Sequence, residues 1–289
     1  MPDYIDWFVN RTKQYQGFCK MLARETPKAV MLIEAPADMG KTWVIQKMRH
    51  HCEGEKVPVM HVDFRDRRPH DYLSLVRLAR DQLGAGYFNP LTSTINSFTG
   101  VKITLASAAG SGGGVQIDQA GSVEVGGDVA GRDIIKDNQF YIQADSTMAQ
   151  RAAESQINDA FFACLDQLFV TTTRVAFLFD SYEDVTAEAD RWLRDYLLPH
   201  LCEKRRANML VVIAGRTIDE LPPAFKELVA KTGLDLFEET DVREYIEKRQ
   251  IAGLDMQTVI KTSGGFPGLL AKMADVASLD AKQDDDEWL

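Results

Sequence analysis

An apolar run, Ala29-Val-Met-Leu-Ile33, turns through Glu34-Ala35-Pro36-Ala37-Asp38-Met39-Gly40 into Lys41-Thr42-Trp43-Val-Ile-Gln-Lys-Met48. Strand, tight turn, Gly-Lys-Thr and helix is the order that a phosphate-binding loop requires. The amides of such a turn and of the helix N-terminus converge on a space the size of one anion. In this reading Lys41 neutralises the β- and γ-phosphates and the Thr42 hydroxyl holds Mg²⁺. The loop departs from the usual pattern at Ala35, which stands in place of the first glycine. Alanine costs little there if its φ stays negative. The expected cofactor contacts are Ala35, Pro36, Ala37, Asp38, Met39, Gly40, Lys41, Thr42 and Trp43.

The rest of the chain is consistent with a domain built around that unit. At 289 residues it is long enough for one large α/β domain plus an insertion or a small second lobe. Short apolar strands alternate with helical spacing: Val57–Phe64, Arg174–Asp180, Met209–Ala214 and a short strand at Leu234–Phe237. Asp71 is placed to cap a helix over Tyr72–Leu83, further helices are expected near 146–169 and 187–198, and three more near 241–249, 255–262 and 267–277. Doubly apolar strands between helices predict a parallel sheet covered on both faces. Ligands then bind beyond the carboxyl ends of the strands, where the phosphate loop, Asp180 and Arg216 all fall. Asp180 is the candidate Mg²⁺ partner, with a helix cap as its plain alternative. Glu183 is the candidate for orienting or deprotonating a water, and Arg216 for sensing the γ-phosphate. An ordinary surface acid and a structural ion pair are the respective alternatives.

Composition limits the other choices. A net charge of -10 argues against nonspecific nucleic-acid or anionic-membrane binding. Cys19, Cys52, Cys164 and Cys202 lack metal-ligand spacing, which points to a reduced, cytoplasmic setting. The N-terminus has no signal-peptide pattern, and no apolar run approaches the ~18–20 residues of a membrane span. His50, His51 and His61 read as helix-end or surface histidines, Arg65-Asp-Arg-Arg68 as a solvated loop, and Trp7 and Trp192 as packing residues. Between Gly110 and Gly131, 8 of 22 residues are glycine, yet Val115/Ile117 and Val123/Val125 alternate with polar neighbours. Hairpins, rungs of a small β-solenoid and a flexible linker all fit this text.

Taken in order, these segments resemble a STAND-type P-loop ATPase of the AAA-related branch, the group that includes the NACHT and NB-ARC proteins. Phe8-Val9-Asn10-Arg11 resembles the family's N-terminal element near the adenine, with Thr12 where an acid is usual. The loop over 35–42, the Asp180-Ser-Tyr-Glu183 strand end, Val211–Arg216, Phe237–Tyr245 and Ser263-Gly-Gly265-Phe-Pro267 resemble its phosphate loop, Walker B strand, sensor strand, lid entry and nucleotide-contacting Gly-x-Pro element. The resemblance implies ATP/ADP and Mg²⁺ as cofactors, Gly265 and Pro267 as nucleotide contacts, and a five-stranded parallel sheet of order 5-1-4-3-2 under a helical lid. It further implies a signalling switch in which ADP holds a closed monomer and ATP favours self-association, with a separate effector or sensor protein. Ser181 replaces the second Walker B acid, so slow hydrolysis is expected.

The implied organisation is a nucleotide-binding core in two parts, 1–97 and 145–237, a Gly-rich β insertion over 98–144, a lid over 238–278 and an acidic tail over 279–289. Gly127-Asp-Val-Ala-Gly-Arg132 resembles text found in some bacterial members. Only about a dozen residues follow the lid, where the family usually continues. Two other functions fit the same residues: a nucleotide-binding module without turnover, and a β-mediated scaffold gated by nucleotide.

Overall fold

A computed structural model describes residues 4–66, 70–102, 116–117, 123–124, 139–142, 146–203, 208–250 and 255–286. In chain order it contains α1 (Thr12–Leu22), β1 (Val30–Glu34), α2 (Lys41–Gly54), β2 (Val59–Asp63), α3 (Tyr72–Leu83) and α4 (Asn89–Phe98). Four short strands follow, β3 (Thr99–Lys102), β4 (Gln116–Ile117), β5 (Val123–Glu124) and β6 (Gln139–Ile142). Then come α5 (Thr147–Thr171), β7 (Val175–Asp180), α6 (Ala187–Trp192), α7 (Leu198–Glu203), β8 (Met209–Gly215) and β9 (Val229–Gly233). The last helices are α8 (Glu239–Lys248), α9 (Met256–Ser263) and α10 (Pro267–Asp286).

Five strands form one parallel sheet in the order β2-β7-β8-β1-β9. Numbered among themselves, these run 2-3-4-1-5, which is the expected order 5-1-4-3-2 read from the other edge. β7 and β8 lie inside the sheet and every residue of both is buried. Continuous apolar text such as Val-Ala-Phe-Leu-Phe is what burial on both faces demands. Phe177 and Phe179 are almost wholly buried, and each such side chain contributes about 1.5–3 kcal/mol over an exposed one.

The edge strand β9 corrects one expectation. It is Val229–Gly233, paired with Val30–Glu34 of β1, and not Leu234–Phe237. An edge strand keeps one flank in water, so Lys231 and Thr232 are tolerated and the apolar signal disappears. Leu234, just beyond it, is buried in the core and carried the signal instead. The helix expected near 187–198 also differs. It runs from α6 through a π-helical turn, Leu193–Leu197, into α7. Asp71 does cap α3, accepting from the Ser74 amide. At the C-terminus of α1, the Arg174 guanidinium donates to the Met21 and Leu22 carbonyls, beyond the reach of the intrahelical ladder. Among the described residues no helix is long and apolar enough to cross a membrane.

The chain divides into two compact units, Met1–Phe88 with Leu165–Leu289, and Asn89–Cys164. In the second unit β3 pairs antiparallel with β6, and β4 antiparallel with β5. Gly127–Arg132 lie outside the described residues. In the first unit, α8–α10 have a core of their own, made of Val242, Tyr245, Ile246, Val259, Leu270 and Ala274, which also takes in Val9. Trp7 and Trp43 pack against it. The helical bundle is thereby fastened to the N-terminal segment and to the helix that follows the loop.

Candidate nucleotide site

Parallel strands end together, so β1, β2, β7 and β8 deliver Ala35, Asp63, Asp180 and Gly215 to one edge of the sheet. There the loop 35–40 turns into α2. Its left-handed positions are Asp38 (φ 61°) and Gly40 (φ 85°). Ala35 is not among them, so it takes the glycine position without backbone strain. The fold is that of a P-loop NTPase.

Against this edge lies a cavity of about 360 Å³. The loop and α2 line it with Ala37, Asp38, Gly40, Lys41, Thr42 and Trp43; the strand ends contribute Arg65, Asp180, Ser181, Glu183 and Arg216. Trp7, Phe8, Val9, Arg11, Phe237, Tyr245, Pro267 and Gly268 close the other side. One end is therefore charged and the other aromatic.

At the charged end Lys41 is almost buried. Its Nζ donates to Ala35 O at 2.7 Å and Pro36 O at 2.8 Å. Burial lowers the Lys41 pKa, and the charges of Glu183 and Asp180 oppose that. Asp180 is wholly buried. Its Oδ1 accepts from the Ser181 amide at 2.8 Å, while Oδ2 has no hydrogen-bond partner among the described residues. Burial pushes this carboxyl up, and the Thr42 hydroxyl beside it offsets part of the effect. A buried carboxylate oxygen without a donor is costly, and next to a hydroxyl it matches the hard oxygen set that Mg²⁺ prefers. Thr42 and Asp180 thus fit a divalent cation. Ser181 sits in the left-handed region at φ 56°, a strained backbone for serine, directly after Asp180.

Glu183 and Arg216 line the cavity as a pair. The Arg216 amide donates to Glu183 Oε2 at 3.0 Å, and Arg216 Nε lies 2.9 Å from Oε1. Arg65 lies in an exposed turn, as a solvated loop would have it, and its side chain also lines the cavity. The carboxyl-end rule, applied to β1, β7 and β8, also holds for β2, whose end is Asp63-Phe64-Arg65; that was the available signal. Burial raises the Asp63 pKa, but hydrogen bonds from Arg65 prevail and hold it below the usual carboxylate range.

The remaining candidates occupy different places. Phe8 and Val9 line the cavity. Arg11 does too, but its donors are engaged: Nη1 to Asp235 O at 2.6 Å and Nη2 to Met39 O at 2.9 Å. It holds the loop to the segment before α8. Asn10 points away, donating to Asp241 at 2.6 Å. Ala35 and Met39 are buried behind the loop. Pro267 lines the cavity, whereas Gly265 stands outside it. The φ of Gly265 is 78°, and a Cβ there would fall 2.3 Å from Phe237 O, so only glycine allows that approach. Trp192 is a packing residue, 1% exposed. Trp7 carries the Arg249 guanidinium 4.2 Å above its ring.

No family model and no curated protein sequence matches this chain. Among solved structures it is similar to a Walker-type ATPase of Pyrococcus abyssi, with 11% identity and a TM-score of 0.49. The alignment covers 91% of this chain and 65% of that one, so the chain spans about two-thirds of the neighbour's length.

Proposed function

We propose that this chain binds ATP and ADP with Mg²⁺ in the cavity, hydrolyses ATP slowly, and acts as a nucleotide-controlled switch of the STAND type. The observation that carries this reading is the junction between loop and helical bundle. The Gly268 amide, at the start of α10, donates to Asp38 O at 2.8 Å. Lys272, one turn further, lies 3.5 Å from Asp38 Oδ2. The bundle therefore acts as a lid resting on the loop that would cradle the phosphates. Any shift of that loop on nucleotide exchange reaches α10 directly, which is what a two-state element requires.

The residues divide the chemistry among themselves. The aromatic wall of Trp7, Phe8, Trp43 and Tyr245 offers stacking surface for a base. The loop amides and Lys41 receive the β- and γ-phosphates. Thr42 and Asp180 would hold Mg²⁺, which when bound supplies further neutralisation of the phosphate charge. In hydrolysis a water oxygen bonds to the γ-phosphorus as the bond to the bridging oxygen breaks. Glu183 takes the water's proton, and Arg216, from the neighbouring strand, meets the charge on the γ-phosphoryl oxygens.

A second reading, a nucleotide-binding module without turnover, is favoured by the Glu183–Arg216 pair. Both carboxylate oxygens of Glu183 already accept from Arg216, which fixes the orientation of the carboxylate until the pair opens. Phosphate release by the native protein, compared with Glu183→Gln, separates the two.

The switch itself is tested by the mass of the protein in solution with ATP·Mg²⁺, with ADP and with neither, beside Lys41→Ala. Growth in mass with ATP, lost in the variant, is the expected result. One mass in every state would remove the switch and leave nucleotide binding alone.

A further inference from the structure

The Arg65 guanidinium hydrogen-bonds to Asp63 and Thr42 and lies within ion-pair distance of Asp180. Its Nη2 lies 2.9 Å from Asp63 Oδ2 and 3.1 Å from Thr42 Oγ1, with Asp180 Oδ2 at 3.9 Å. Thr42 and Asp180 are the oxygens that fit a divalent cation, so a positive group already stands among them. Guanidinium keeps its charge at any working pH and offers donors in a rigid fork. Arg65 is also free to leave. Its side chain is 54% exposed. Asp63 would retain it by separate contacts, with Nε at 3.2 Å and the Arg65 amide at 3.1 Å from Oδ1. Thr42 and Asp180 would lose it, and Asp63 would not.

We infer that Arg65 and the divalent cation are alternative occupants of the Thr42–Asp180 oxygens, and that Arg65 sets how strongly metal tightens nucleotide binding. This rests on the nucleotide reading above. Without metal, Arg65 supplies the positive charge that lets the site accept phosphates. With metal, two positive groups compete for the same oxygens at contact distance. Arg65 then turns back onto Asp63. Asp63 is in this account a positioning residue for Arg65.

The test is equilibrium binding of a fluorescent ADP in EDTA and in excess Mg²⁺, for the native chain, Arg65→Ala and Arg65→Lys. The quantity read is the ratio of Kd in EDTA to Kd in Mg²⁺. Arg65→Ala removes a charge-assisted contact from the metal-free state alone, so its ratio should exceed the native one by about tenfold or more. Arg65→Lys, which keeps the charge and loses the fork, should fall between. A native ratio in both variants overturns the inference, as does a ratio that falls in Arg65→Ala. A native chain that binds no nucleotide under either condition overturns the nucleotide reading itself, so the two failures are distinguishable.

Discussion

Glu183 and Arg216 hold each other across neighbouring strand ends, with one contact through the Arg216 amide and one through its guanidinium. Each is also the residue proposed to act on the terminal phosphate. The pairing therefore fixes how each is presented until an anion draws the Arg216 guanidinium away. Replacing Glu183 by Gln keeps an acceptor for the Arg216 amide but removes the base. Phosphate release should fall by about 10²–10⁴-fold, the usual contribution of a general base, while nucleotide affinity changes little. Single-turnover phosphate release beside equilibrium binding reads both quantities. Equal turnover in the two proteins would show that Glu183 is not the base.

Asp180 places function and stability in opposition. A wholly buried carboxylate with one oxygen lacking a donor costs free energy that a neutral amide does not. Asp180→Asn should raise the thermal midpoint of the nucleotide-free protein by about 2–8 °C, from about 1–2 kcal/mol in a chain of this size. The same variant should lose the effect of Mg²⁺ on nucleotide affinity. Differential scanning calorimetry and binding titrations check the two halves. A lowered midpoint would mean that Asp180 is held by its surroundings for structure.

The lid depends on two glycines. A Cβ on Gly268 would lie 2.5 Å from Asp38 Cβ, forcing α10 off the loop. Gly268→Ala should therefore release bound nucleotide faster, by about tenfold if one charge-free contact and its packing are lost. Stopped-flow displacement of a fluorescent nucleotide measures this. At Gly265 the clash is with the Phe237 carbonyl, and φ is positive. Gly265→Ala should destabilise the lid by about 1–3 kcal/mol, seen as faster hydrogen exchange in α9 and α10. Unchanged release in the first variant would detach the lid from nucleotide retention.

Much of the architecture was legible because burial on both faces writes itself into β1, β7 and β8 as unbroken apolar text. Sheet order is not legible from periodicity; the family resemblance alone implies it. β9 was misplaced because an edge strand need not be apolar. Lys41, Thr42, Asp180, Glu183 and Arg216 each follow a strand with a strong apolar signal, and all five line the cavity. Arg65 was not read as a site residue, because the charged cluster after β2 looks like solvated text until the sheet register sets Asp63 beside Asp180. Arg11 lines the cavity, and its guanidinium also donates to the Asp235 and Met39 carbonyls. A sequence carries no sign of where a guanidinium will turn. Gly265 shows the same limit: its part is a close approach to Phe237, visible only once both segments are in place.

The central claim is that the cavity beside the loop holds a nucleotide through Lys41. Isothermal titration of ATP and ADP into the native chain and Lys41→Ala, both in Mg²⁺, tests it most directly. The account predicts saturable one-site binding to the native protein. It predicts a loss of at least about tenfold in the variant, since a charged donor to phosphate contributes about 1.5–3 kcal/mol. Equal affinity in the two proteins, or no binding to either, would contradict it.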